Sequence, residues 1–300
     1  LPPPALEQAL ELDWHARHRQ ALVKNETLRT ILDNFQLSAT ALDSFLDLEH
    51  AGPQSFFEHQ LLRFPTAPNP ALAFGSAVHR MLQAAHVSIN NNEPKGIDEL
   101  LDIFEYTLQR MRLSPQNESY WLERGKMILP RYLEKRLPEF TTEQIPERDF
   151  KNQGCEAGQA RLTGKLDLME IHGQEIIITD YKTGTPRSTW SFNKLTANTR
   201  LYEYQRQLLF YKILVGTSAS YGNRYRVDKA YLDFVQPAKD TDDFLRLSYE
   251  FDKDEVERLK KLIEAVWMHI MNLDFPDTSR YGKKLTDIKA FEEDLIDGRI

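Results

Sequence analysis

Three features of the chain predict an α/β protein with a large helical lobe on its N-terminal side. Residues 1–140 repeat apolar positions at helical spacing. Residues 141–182 switch to short apolar runs that end in charged clusters, and one helical stretch near 199–215 separates these from two further strand patterns. This order implies a sheet flanked by helices rather than an all-helical bundle.

In the lobe, Leu6, Leu10, Trp14, Leu22, Leu28, Ile31 and Leu32 mark a long amphipathic helix over 5–33. Ser38 suits the N-cap of a second helix carrying Leu42, Phe45 and Leu46, with a stop near Gly52-Pro53. Pro65, Pro68 and Pro70 mark a loop, and helices follow at about 73–87, 97–112 and 117–136. Strands are expected at about 141–150, 160–170 and 174–182, with Gly173 as the hairpin turn between the last two. A helix at about 199–215 precedes strands at about 226–236 and 244–250 and a helix at about 253–272. The domain reading is a helical lobe over 1–140, an α/β core over 141–275 and a C-terminal tail over 276–300.

Composition bounds the function class. With 300 residues, 41% hydrophobic and 28% charged, the chain can bury one large core. No apolar run approaches the ~18 residues of a membrane span, and no signal-peptide pattern opens the chain. The one cysteine, Cys155, excludes a disulfide framework or a cysteine-ligated zinc within these residues, and a cytoplasmic setting is expected. The chain opens Leu1-Pro2-Pro3-Pro4 and is read as a piece of something longer. A net charge of −7 argues against a general nucleic-acid coat. From Lys182 to Arg226, however, eight basic residues face a single acid, Glu203. Such a local strip suits a phosphate backbone entering one groove.

The chemistry concentrates in two segments, Leu162-Thr163-Gly164-Lys165-Leu166-Asp167-Leu168-Met169 and Ile176-Ile177-Ile178-Thr179-Asp180-Tyr181-Lys182-Thr183-Gly184. Strand side chains alternate faces, so Asp180 and Lys182 point the same way, roughly 7 Å apart, and Tyr181 points to the other face. One carboxylate on each of two neighbouring strands can hold a hard cation, and a lysine beside them can orient water or stabilise charge on a phosphate. A lysine next to a cation is expected to have a lowered pKa. Gln207 and Tyr211 are four apart and share a helix face. Gly158-x5-Gly164-Lys165-Leu166 has neither the spacing nor the hydroxyl of a phosphate-binding loop.

Taken in order, Gly75-Ser76-Ala77-Val78-His79, Gly164-x-x-Asp167, Asp180-x-Lys182 and Gln207-x-x-x-Tyr211 resemble the PD-(D/E)xK nuclease superfamily in its RecB-like branch, over roughly 38–236. The resemblance implies a restriction-endonuclease-like core, a central mixed sheet flanked by helices. It implies a metal site of His79, Asp167, Asp180 and the Tyr181 carbonyl, holding Mg2+ or Mn2+, and a catalytic set of Asp167, Asp180, Lys182, Gln207 and Tyr211. Arg187, Lys194, Arg200, Tyr204 and Arg206 are candidates for nucleic-acid binding; Tyr204 and Trp190 could stack on bases, though simple packing is the favoured role for both rings. The remaining histidines, His15, His18, His50, His59, His86, His172 and His269, are read as structural or surface. Many relatives of this branch carry an iron–sulfur cluster. Here the early position reads Gly52-Pro53 and 275–282 has no cysteine, so no cluster is expected and direct helix packing is expected to tie down the C-terminal segment.

The function implied is a metal-dependent exonuclease acting on single-stranded DNA or unwound duplex ends, as the nuclease module of a repair or recombination helicase–nuclease of the UvrD/AddA kind. Its motor would lie on the same or a partner chain. A standalone exonuclease like the CRISPR-associated members of the branch, or a silent DNA-binding or scaffolding module, are the alternatives.

Overall fold

The computed structural model describes residues 26–191, 199–239, 241 and 243–300. In chain order the helices and strands are α1 (Glu26–Asp33), α2 (Ala39–Leu46), α3 (Gly52–Phe56), α4 (Pro70–Asn90), α5 (Ile97–Gln109), α6 (Pro115–Arg136), β1 (Gln144–Asp149), β2 (Glu156–Ala157), β3 (Ala160–Arg161), β4 (Lys165–His172) and β5 (Glu175–Lys182). They continue with α7 (Thr199–Thr217), β6 (Arg226–Pro237), β7 (Phe244–Glu250), α8 (Lys253–Met271) and α9 (Leu285–Ile296). The described residues form two compact units, one drawn from 65–155, 163–191 and 199–256, the other from 26–64, 156–162 and 257–300.

The first unit is built on a five-stranded mixed sheet in the order β1-β4-β5-β6-β7. The strands β1, β4 and β5 form an antiparallel meander, β6 runs parallel to β5, and β7 closes the edge antiparallel to β6. A parallel neighbour needs a crossover, and α7 supplies it. The β4–β5 hairpin turns at Gly173, whose φ of +60° is a conformation glycine adopts without a steric cost. The expected strand over 160–170 is corrected to two pieces. The short β2–β3 pair belongs to the other unit, and β4 starts only at Lys165.

One face of the sheet is covered by α4, α5 and α6. Phe74, Val78 and Met81 of α4, Phe104 of α5 and Tyr132 of α6 bury themselves with Leu168, Tyr181 and Val235 of the strands. The start of α4 is specified locally: Asn69 Oδ1 accepts from the backbone N–H groups of Ala71 and Leu72, and Pro70 occupies the first turn. On the same face, Asp233 is wholly buried and paired with Arg246 at 2.7 Å and with Arg136 of α6 at 3.2 Å.

In the second unit, Ser38 caps α2 through a bond from the Ala41 N–H, as its sequence position suggested. Gly52-Pro53 does not stop a helix; it starts α3, because proline is suited to a first helical turn, where no N–H partner is needed. The C-terminal segment is held by aromatic packing. Phe275 lies 4.9 Å from the Phe57 ring and 6.4 Å from Phe56. The expected helix over 5–33 lies outside the described residues except for α1, and α9 occupies the stretch expected as a tail.

Candidate active site

The ends of β4 and β5, the middle of α4 and the first half of α7 converge on a cleft of about 1020 Å³ within the first unit. Its floor carries His79, Glu147, Asp167, Asp180 and Lys182, and Gln207 and Tyr211 line one side. Gly75 lets α4 approach this floor. A Cβ there would lie 3.2 Å from the Thr183 Oγ1, tighter than ordinary van der Waals contact.

Asp167 is gripped on both carboxylate oxygens. Oδ1 is 3.1 Å from His79 Nδ1, and Oδ2 accepts the Tyr181 backbone N–H at 2.8 Å. Asp180, only 2% exposed, forms an ion pair of 2.7 Å between its Oδ2 and Lys182 Nζ. Lys182 donates to Gln207 Oε1, and Gln207 Nε2 donates to the Tyr211 hydroxyl at 2.8 Å. The Gln207–Tyr211 pair therefore buttresses the lysine. Nζ of Lys182 also sits 4.3 Å from the centroid of the Tyr204 ring.

Electrostatics follow from this crowding. Burial alone would depress His79, but the adjacent Asp167 charge and its hydrogen bond, helped by Asp180, lift the imidazole to about 9. Burial also raises Asp180, and the neighbouring Asp167 charge adds to it against the pull of Lys182. Lys182 is pulled in both directions. Burial pushes its ammonium down, but the Asp180 carboxylate, then Tyr204, push it up, and the net direction is upward.

Glu147 is the residue that sequence reasoning missed. It stands in β1 between Pro146, opposite Leu168, and Arg148, opposite Leu166, and so lies across from Asp167. Its φ of +54° is left-handed, a strain on the order of 1–3 kcal/mol for a non-glycine residue. One ligand atom each from His79, Glu147 and Asp167 lie within 4.8 Å of one another, and Lys165 Nζ pairs with Glu147 at 2.6 Å. The available signal was Pro146-Glu147, an acid after a strand-breaking proline next to the Asp167 strand. Imidazole with carboxylates, beside a buried carboxylate raised above its ordinary range, is a donor set that fits a divalent cation.

The other predicted residues separate. Arg187 and Arg200 are exposed and line the cleft with Tyr204. Arg206 is corrected. It is buried, its guanidinium lying 5.5 Å from the Tyr202 ring centroid. Two residues along a helix rotate a side chain by about 200°, away from the face that Tyr204 presents. Trp190 takes a packing role: its indole N–H donates to the Ser248 carbonyl and its ring packs edge-on against Tyr249. Lys194 lies outside the described residues. Tyr181 lines the cleft, while its hydroxyl bonds His86 on the far side.

The mixed sheet and this cleft are the frame of a nuclease. A family model of the PD-(D/E)XK nuclease superfamily matches residues 36–281, and the chain belongs to that superfamily. Divalent metal use is general to that superfamily. A crystal structure described as a "putative exonuclease" from Eubacterium rectale is similar in fold, with a TM-score of 0.51 and 14% identity over 81% of this chain and 84% of that one. No curated protein matches the chain. Among the described residues, no helix is long and apolar enough to cross a membrane.

Proposed function

We propose that this chain is a Mg2+- or Mn2+-dependent deoxyribonuclease of the RecB-like branch, working as an exonuclease on single-stranded DNA or unwound duplex ends. The observation that carries the reading is the meeting of His79 and Asp167 with Asp180, Lys182, Gln207 and Tyr211 in one cleft. His79, Asp167 and Asp180, with Glu147 and the Tyr181 carbonyl, would hold the cation. Bound there, a divalent ion polarises a phosphate oxygen and lowers the pKa of a coordinated water.

The residues of the chain divide the remaining work. Lys182 is fixed between Asp180 and Gln207, so its Nζ is placed to stabilise negative charge on the phosphate. Tyr211 restrains Gln207, and Gln207 restrains Lys182. Arg187 and Arg200 contact the incoming backbone by charge. The RecB-like order of motifs also favours a helicase motor, on this or a partner chain, in DNA repair or recombination.

The test uses linear and circular, single- and double-stranded DNA with Mg2+, Mn2+ or EDTA. Metal-dependent cutting that Asp180→Ala and Lys182→Ala both abolish is expected, with circles resisting. Cutting that survives both substitutions would refute the site. Binding without cutting, by a folded protein under all conditions, would favour the silent DNA-binding module.

A further inference from the structure

The buried side of Tyr181 holds a histidine that the proposed chemistry does not use. His86 is wholly buried, stacked at 3.8 Å on the Phe140 ring, and its Nε2 shares a hydrogen bond of 2.8 Å with the Tyr181 hydroxyl. His86 and His79 are seven residues apart on α4, two turns along one face, and both imidazoles flank the Tyr181 ring, at 6.2 and 6.4 Å.

These contacts close a circuit. From α4, His79 reaches Asp167 Oδ1; Asp167 Oδ2 takes the Tyr181 N–H; the Tyr181 hydroxyl returns to α4 at His86. Every link is a single hydrogen bond, and the rigid helix closes the loop. The tyrosine is therefore tied at both ends. Its amide sets Asp167, and its hydroxyl sets how close α4 lies to β5.

We infer that His86 is a positioning residue, which acts through Tyr181 to hold His79 and Asp167 at the separation a divalent cation needs. The inference rests on the metal-site reading above. An alternative role, simple core filling, would be served equally by an apolar residue at 86, with phenylalanine in place of tyrosine at 181. Burying a hydrogen-bonded pair where two apolar groups would pack costs desolvation, and the geometry gained is what such a pair supplies.

Mn2+ titration of the metal-free protein, without nucleic acid, tests this. Tyr181→Phe removes one oxygen and keeps the backbone, and it is expected to weaken Mn2+ binding on the order of 10-fold, as loss of a partner behind a ligand typically does. His86→Leu should lose the same factor, and Tyr181→Phe with His86→Leu no more than either alone, because both break one link. His86→Gln, which can still bond the phenol, should stay within about 3-fold of wild type. Unchanged Mn2+ affinity in Tyr181→Phe, with wild-type protein binding normally, would overturn the positioning role and leave the metal site standing. Failure of wild-type protein to bind Mn2+ would overturn both. If His86→Leu does not fold, Tyr181→Phe and His86→Gln decide the question alone.

Discussion

The backbone N–H of Tyr181 donates to Oδ2 of Asp167, so a side chain takes over from the sheet ladder where β4 and β5 part. The last registered pair of these strands is Leu168 with Thr179. Beyond it the Tyr181 amide finds its acceptor in the carboxylate at 2.8 Å, which satisfies a buried donor and locks the rotamer of a proposed metal ligand.

Asp167→Ala should therefore do two kinds of damage. Cleavage should fall by at least ~100-fold, the scale of losing an electrostatic catalytic group. Stability should also drop by about 1–3 kcal/mol, because the Tyr181 N–H is orphaned. Asp167→Asn retains an acceptor oxygen, so it should lose activity with most of the stability kept. Cleavage rates beside thermal unfolding separate the two effects.

Glu147 trades stability for function. Glu147→Gly relieves the left-handed strain at φ +54° and is expected to gain on the order of 1 kcal/mol. Mn2+ binding should weaken in the same variant. Calorimetric unfolding paired with Mn2+ titration reads both, and a loss of stability would show that the backbone here is unstrained.

His86 should make the protein sensitive to mild acid. Burial lowers its pKa to about 4, below the 6.5 of the unfolded chain. Between those values the unfolded state binds the extra proton. The resulting stability is thus present above about pH 6.5 and lost as pH falls toward 4, on the order of 3 kcal/mol in all. Denaturant unfolding across this range should be steeper in pH for wild type than for His86→Gln.

The basic residues should divide by location. Arg187→Ala and Arg200→Ala each should weaken DNA binding for all sequences alike and reduce the salt slope by about 1. Arg206→Ala, whose guanidinium packs over Tyr202, should lower the unfolding temperature and leave the salt slope unchanged. Fluorescence titrations at several salt concentrations distinguish these outcomes.

In the second unit, Phe275→Ala should destabilise by about 3 kcal/mol, since it removes the ring packed on Phe57 and Phe56. Chelators should not reproduce that loss in a metal-free sample. Unfolding followed with and without EDTA checks it.

Much of this architecture is local and was legible in the residues. Alternation places Asp180 and Lys182 on one strand face, the four-residue spacing places Gln207 and Tyr211 on one helix face, and Gly173 makes the hairpin. Each depends on a periodicity of the backbone itself. What only the tertiary structure decided are relations across elements. The β1–β4 register puts Glu147 opposite Asp167, the approach of α4 to β5 joins His86 to the Tyr181 hydroxyl, and the phase of α7 turns Arg206 inward while Tyr204 lies under Lys182. Sequence spacing sets the direction of a side chain within its own element. Which partner it meets, and in what dielectric, is fixed by the packing of elements far apart in the chain.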